Sequence, residues 1–502
     1  MRGSDKGLIA RHRELSDLRA MHAKSGFNLV LVHGKRRVGK TRLLSHVWPH
    51  DQVFYFAAAD ATGTINRREL ILAANRRFEL ELDPADFHSW EAVFRALLEF
   101  GSPAPIAIVL DEFHHVVAAD AGVTEQLEAA LRVRRTRRSS ALVLCGSADQ
   151  TMSGLQAADS PLRSRFDTVL ELQPFDYRDA AEFTPTASLR ECAYMYGIFG
   201  GMPGYLSAID PERRLADNVA AEMLASEGKV RVQIETGIDQ ERGLRHQHEY
   251  KAILRAIGAG SRMASEIAEN AGTEPGTSTK VMLEKLARLG YVTSERSFGA
   301  KHTHAFEYHL ADPAHRFHYE LVEPFRSELT IHEPITVWLD RIAARVPAYM
   351  RRVFELMVRQ AYQRHHLRLR LPPVVEWGRW VGSSGSQRGG SRDPQRSSHE
   401  IGIVARLQDG RMLTGAAVWG KLTPEAHARH LSSLRALATT GYEWAREALD
   451  TKALLLYAAS DSVPADFGES TAAGRTIIAW TLEDLYHGRE ARLLARPYQA
   501  MP

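Results

Sequence analysis

Cysteine is almost missing from this chain: Cys145 and Cys192 are the only two in 502 residues. That excludes a disulfide-stapled scaffold and any cysteine-based zinc cluster. Long hydrophobic runs are missing too, those present being short pieces such as residues 106–110 and 141–145. They fall well short of the roughly 18 apolar residues that a membrane-spanning helix needs. With no signal-like start, a cytoplasmic protein without a membrane partner is expected. Nor does one sign of charge dominate, because 64 Lys and Arg face 61 Asp and Glu. A basic surface for nucleic acid must therefore be local. What remains is an ordinary globular composition, 44% hydrophobic and 25% charged. A chain of this length exceeds one hydrophobic core, so several domains are expected.

The most informative stretch lies directly behind the apolar run 29–32. Gly34, Lys35, Arg36, Arg37, Val38, Gly39, Lys40 and Thr41 fit the pattern G-x-x-x-x-G-K-[ST], and a helical pattern follows at 41–47. Strand, glycine loop and helix in that order form the context in which this pattern cradles phosphate. The glycines let successive backbone N–H groups turn inward, and the helix adds its positive N-terminal end. Lys40 is expected on the β- and γ-phosphates and Thr41 on magnesium, with Arg42 completing the nucleotide-binding segment. The apolar run 106–110 ends in Asp111 and Glu112. A carboxylate at the end of a buried parallel strand is placed to hold the magnesium, and its neighbour to act as general base on water. Asp111 and Glu112 take those two roles, the plain alternative being an acidic pair that caps a helix. A second apolar strand ends in Ser147, a hydroxyl placed to sense the γ-phosphate, although serine is also common where any strand passes into a loop.

The segments LIARHRELSDL, GKRRVGKTRLL, IVLDEF, LVLCGS, SPLRSRFDTVLELQPF and GGMPGYL occur in this order over roughly the first 210 residues. Together they resemble the archaeal-type P-loop ATPases of the STAND and AAA+ assemblage. The resemblance implies ATP and Mg2+ as cofactors, with Arg11 and Pro203 near the adenine. It also implies an arginine finger, Arg165 ahead of Arg163, which a homo-oligomer would present to its neighbour; a structural ion pair is the alternative. A small helical lid is implied after the core. A basic cluster of Arg132, Arg134, Arg135, Arg137 and Arg138 precedes the Ser147 strand, either as a solvated helix end or as a phosphate contact.

Further along, three helical patterns and two strands joined by a polar loop fill residues 245–325, the pattern of a winged helix-turn-helix. Its third helix, 279–289, would offer Thr277, Ser278, Thr279 and Lys280 at an exposed start. The wing would carry Arg296, Lys301 and His302. Double-stranded DNA, a protein partner or a mechanical role all remain open for it. Residues 340–490 resemble the PD-(D/E)xK nuclease-like domain that follows the ATPase in the same family. On that pattern Gly402 stands where an aspartate belongs, Ala416 for the glutamate and Val418 for the lysine, while Glu355 and Glu400 survive. A divalent ion would lack its main oxygen ligands there, Lys421 being the lysine that could move into place. The Gly/Ser/Arg-rich stretch 381–400 reads as a mobile loop inside this domain. The histidines lack metal-ligand spacing, His114, His115, His427 and His430 included, and read as surface or packing residues.

The expected fold class is thus α/β. It comprises a P-loop NTPase parallel sheet (1–175), a helical lid (176–244), a winged helix (245–325) and a degenerate restriction-endonuclease-like domain (340–490). The expected function is a magnesium-dependent, ATP-hydrolysing switch coupled to DNA or to a protein partner. An ATP-gated DNA-binding regulator and a slowly hydrolysing signalling scaffold are the alternatives.

Overall fold

The computed structural model describes residues 7–23, 26–99, 106–132, 139–147, 150–241, 244–274, 276–299, 306–383, 398–467, 474–488 and 492–493. Arg134, Arg135, Arg137, Arg138, Lys301, His302 and residues 384–397 of the Gly/Ser/Arg-rich stretch lie outside them. The chain divides into two compact units, Met1–Pro174 with Met202–Gly204, and Phe175–Gly201 with Tyr205–Pro502. No helix among the described residues is long and apolar enough to cross a membrane.

In the first unit, five strands form one parallel sheet: β1 (Asn28–Gly34), β2 (Val53–Ala57), β3 (Ile106–Asp111), β4 (Ser139–Ser147) and β5 (Thr168–Leu172), in the order β2-β3-β4-β1-β5. Every residue of β3 is buried, as expected of a parallel strand covered on both faces. Leu29, Leu31, Ile108, Leu110, Leu142 and Leu144 line one face. Against them pack Leu70 and Ile71 of helix Gly63–Phe78, Trp90 and Phe94 of helix Trp90–Glu99, and Leu127 of helix Val123–Arg132. Parallel pairing brings the carboxyl ends of all the strands to one edge. There Gly34 pairs with Ser147 and Ala57 with Asp111. The chain leaves central β1 for edge β2, and such a reversal in strand order opens a ligand crevice.

The second unit holds the helices Gln247–Gly258, Ala264–Ala271 and Thr277–Arg288, followed by the antiparallel pair β6 (Val292–Arg296) and β7 (Phe306–Leu310). The third helix begins at Thr277, behind Gly276 at φ 129°, two residues earlier than the sequence suggests. Thr279 is therefore turned inward, 1% exposed, and donates to the Glu274 carbonyl. It is no part of an exposed helix start. The segment that leaves β6 is described as far as Gly299. Arg296 lies over the Phe306 ring, 4.2 Å from its centroid, and Phe298, 4% exposed, sits in an apolar cluster with Trp380 and Trp444. The Phe298 N–H donates to the Arg379 carbonyl over 2.9 Å. Two glycines make room for this insertion. A Cβ on Gly299 would lie 2.4 Å from Trp444, and one on Gly378 would lie 2.9 Å from Phe298.

The six-stranded sheet of this unit has the order β13-β12-β11-β10-β9-β8. Its strands are β8 (Val374–Ser383), β9 (Ser398–Leu407), β10 (Met412–Val418), β11 (Leu454–Ala459), β12 (Thr476–Thr481) and β13 (Arg492–Leu493). Both ends of the stretch read as a loop, 381–383 and 398–400, thus belong to strands. Leu431, Leu434 and Leu437 of helix Pro424–Thr439 pack with Trp380, Ile401, Val404 and Met412, and Ala416 and Val418 lie against the same cluster. A register shift between Gly378 and Trp380 lets Ile401 and Val404 both face this cluster. The intervening Gly402 turns instead toward Glu355 on helix Val346–His365, whose carboxylate lies 2.5 Å from where a Gly402 Cβ would stand.

Two histidines of this unit carry a stability consequence. Burial, reinforced by His427, pushes the His430 pKa down to about 3, and burial, reinforced by His315 and Arg231, does the same to His318. Both lie below the free value of 6.5, so the unfolded chain binds two protons that the folded unit refuses. Their stabilising contribution is complete above pH 6.5 and is lost as pH falls from there toward about 3, at about 1.4 kcal/mol per pH unit for each histidine. We expect urea midpoints to fall steadily between pH 7 and pH 5, and less steeply in His430→Gln. Equal slopes in the two proteins would contradict this assignment.

Candidate functional site

The loop after β1 is built around backbone geometry that few residues tolerate. Gly39 has φ 92° and Arg37 φ 65°, both left-handed, where glycine alone is free of steric cost. Val38, fully buried, plugs the loop onto the sheet, while Arg36, Arg37, Thr41 and Arg42 are exposed and Lys35 half-buried. The Val38 N–H closes a turn onto the Lys35 carbonyl. Gly34 also needs its missing side chain, since a Cβ there would lie 2.4 Å from the Leu172 carbonyl oxygen. Lys40 starts the helix Lys40–Val47, is 6% exposed, and donates to the Gly34 and Lys35 carbonyls over 3.1 Å each. Its ammonium thus sits inside the loop, where a phosphate would replace those carbonyls as partner.

Two further residues from the sequence reading brace this loop. Arg11, 8% exposed, donates to the Val38 carbonyl over 3.1 Å and to the Gln173 carbonyl over 2.6 Å, with Glu14 at 3.0 Å. Pro203 meets the loop from the other side, its Cγ 3.7 Å from where a Gly39 Cβ would stand. Ser147 ends β4, half-buried, beside Gly34.

Asp111 is the junction of the site. Its Oδ2 accepts from Thr41 Oγ1 over 2.7 Å and from the Tyr55 hydroxyl, and its Oδ1 accepts from the Glu112 N–H over 2.8 Å. Burial pushes its pKa up, but hydrogen bonds from Tyr55, Cys145, Thr41 and the Glu112 backbone outweigh it and hold the carboxyl below its ordinary value. An ionised carboxylate and a hydroxyl at this spacing form a hard-oxygen set of the kind magnesium prefers, so the residues fit that ion. Glu112 leaves the strand at φ 53°, a left-handed conformation of the sort that functional sites retain at a cost. Its carboxylate stays 40% exposed, with Oε2 3.3 Å from His114 Nδ1. The His115 ring lies tilted against His114, with centroids 4.1 Å apart, and its Nδ1 lies 3.9 Å from Asp60.

Sequence reasoning missed Tyr55 and the close approach of His114 to Glu112. Tyr55 belongs to the strand VFYFA, where one more aromatic residue among apolar neighbours carries no signal. Arg165 is also engaged within its own chain: its Nη2 lies 2.6 Å from Glu128 Oε1, which Arg132 holds as well. Arg163 is exposed.

In the second unit the nuclease-type positions do not converge. Gly402 faces Glu355, whereas Ala416 and Val418 pack on the apolar cluster around helix Pro424–Thr439. Guanidinium groups surround Gly402: Arg359 donates to its carbonyl over 3.2 Å, and Arg379 pairs with Glu400. Burial pushes the Glu355 pKa up despite Arg379 and Arg359. A carboxylate that resists ionisation, beside two cations, is a poor seat for a divalent ion. Lys421 is exposed.

Loop, strand order and acidic strand end define the class of P-loop ATPases. Residues 8–209 match the family described as "ATPase domain predominantly from Archaea", so the chain carries an archaeal-type ATPase domain. An uncharacterized protein of Methanocaldococcus jannaschii is 22% identical over 379 residues, 74% of this chain and 81% of that protein. Among solved structures, a Walker-type ATPase of Pyrococcus abyssi is 18% identical, with 62% of this chain and 96% of that chain covered and a TM-score of 0.45. The ORC2 protein of Aeropyrum pernix, solved in ADPNP–ADP complexes, is 16% identical, with 66% and 96% covered and a TM-score of 0.42.

The bracing of the loop can be measured without nucleotide. Arg11→Ala removes a buried, charged donor from two carbonyls and should destabilise the first unit by about 2–3 kcal/mol in urea unfolding. A loss below about 0.5 kcal/mol, the range of ordinary surface substitutions, would show that the loop stands without it.

Proposed function

We propose that this protein is a magnesium-dependent ATPase that works as a nucleotide-controlled switch. The observation that carries the reading is the convergence of Lys40, Thr41, Asp111 and Glu112 on the carboxyl edge of the parallel sheet, with Thr41 Oγ1 2.7 Å from Asp111. Phosphoryl transfer to water needs positioning and charge neutralisation more than covalent chemistry. The loop N–H groups and Lys40 hold the β- and γ-phosphates. Thr41 and Asp111 are the residues that would hold magnesium, which when bound neutralises developing phosphate charge. Glu112, exposed enough to meet solvent, takes a proton from the attacking water, with His114 orienting its carboxylate. Arg11 and Pro203, which brace the loop, are carried over as the adenine-side residues, and Ser147 as the sensor beside the γ-phosphate.

Of the two arginines at 163 and 165, Arg163 is the better finger for a homo-oligomer. Both side chains are exposed, but Arg165 is already paired with Glu128.

The helices and hairpin at 247–310 are read as a winged helix, and the six-stranded domain as a nuclease-like fold without nuclease chemistry. Their output is a protein partner in preference to double-stranded DNA. Phe298, just after β6, is packed beside Trp380 and Trp444, and the exposed face of Thr277–Arg288 mixes Lys280 and Arg288 with Val281 and Glu284. That face lacks the clustered cations of a phosphate-backbone contact.

Glu112→Gln should bind ATP and lose turnover by at least about a hundredfold, the lower range for removing a general base. Wild-type turnover should be unchanged by added duplex DNA. Normal hydrolysis in Glu112→Gln would remove the base assignment, and stimulation by DNA would restore the DNA-regulator alternative.

A further inference from the structure

We infer that Tyr55 is a positioning residue for the metal-bearing carboxylate, an inference that rests on the ATPase reading above. No part of the loop motif or of the acidic strand end contains Tyr55. It comes from β2, the edge strand beside β3, and the register explains its reach. Ala57 pairs with Asp111 and Tyr55 with Val109. Alternate residues of a strand share a face, so the side chains at 55 and 57, and at 109 and 111, rise on the same side of the sheet. Tyr55 therefore stands one two-residue step, roughly 6.6 Å, behind Asp111. A tyrosine ring with its hydroxyl spans that step, whereas serine or threonine would stop short and phenylalanine would arrive without a donor.

The hydroxyl lands on Oδ2, the same oxygen that accepts from Thr41 Oγ1 over 2.7 Å. This shared oxygen gives the contact its function. A hydroxyl has one proton to donate and two lone pairs. With its proton committed to Asp111, the Thr41 oxygen turns its lone pairs outward, toward the place of the ion. The direction of the Thr41 hydroxyl depends on the carboxylate rotamer, and Tyr55 fixes that rotamer. The Glu112 N–H on Oδ1 holds the other oxygen over 2.8 Å. Thr41 and Tyr55 on one oxygen and the Glu112 N–H on the other, with Cys145 beside them, hold the carboxylate in one orientation. Magnesium demands near-ideal octahedral geometry and keeps several waters, so a carboxylate free to swing would weaken the ion more than the nucleotide.

Tyr55→Phe separates these effects, and Phe54 and Phe56 beside it indicate a strand that accepts the ring; a melting curve checks its folding. Mn2+ binding, followed by electron paramagnetic resonance on the full chain with a non-hydrolysable ATP analogue, should weaken about tenfold, as expected for losing a hydrogen bond to a charged group. Binding of a fluorescent ADP analogue in EDTA should stay within about twofold, because the loop and Lys40 are untouched. In turnover assays the Mg2+ concentration at half-maximal rate should rise while kcat at saturating Mg2+ recovers. Unchanged or tighter Mn2+ binding would overturn the inference, as would a kcat that stays low at every Mg2+ concentration. Failure of the wild type to bind nucleotide at all would instead overturn the ATPase reading, and this inference with it.

Discussion

The pairing of Asp111 with Thr41 holds the first unit's chemistry together, and most of that unit can be understood as the means of making it. The two residues are 70 positions apart in the chain. They meet because parallel pairing carries β1 and β3 to one edge with β4 between them. A strongly polar group at the end of a fully buried strand would be costly without partners. Asp111 has them in Thr41, Tyr55 and the backbone of Glu112. The adjoining loop obeys the same constraint from the other side. Its left-handed residues and close approach to Leu172 leave backbone and Lys40 pointing inward, with Arg11 bracing it from behind.

The second unit follows a different logic. Segments that read as separate modules are joined by buried contacts. Phe298 is part of the cluster around Trp444, the Tyr349 hydroxyl lies within hydrogen-bond distance of the carbonyls of Gly197 and Pro313, and Arg364 pairs with Asp176 and Asp179. Helices from the segment behind the ATPase core, the three-helix block and the six-stranded domain therefore share one packed interior. The segment that leaves β6 is held at Phe298 by this packing. Buried contacts likewise fill the surroundings of Gly402. Gly402 admits the Glu355 carboxylate, and arginines take the surrounding space.

The first unit was largely legible in the sequence. Continuous apolar runs ending in Gly34, Asp111 and Ser147 mark buried parallel strands and their carboxyl ends, and the glycine spacing marks the loop. Tyr55 was not legible, because its role comes from the register of β2 on β3, and no local pattern encodes that register. The pairing of Arg165 with Glu128 joins residues 37 positions apart and was hidden for the same reason. In the second unit, periodicity revealed the helices and strands but not which faces meet. The inward turn of Thr279 depends on where the helix starts, which Gly276 sets. The failure of Gly402 to share a face with Ala416 depends on one bulge, and a one-residue slip reverses every side chain beyond it.

Every role proposed for the first unit requires the loop between Gly34 and Thr41 to be a phosphate cradle. Calorimetric titration of the full chain with a non-hydrolysable ATP analogue tests it most directly, with and without Mg2+, wild type beside Lys40→Ala. The account predicts binding of one nucleotide per chain that tightens with Mg2+ in the wild type and is lost or greatly weakened in Lys40→Ala. No binding by the wild type, or equal binding by both proteins, would contradict it.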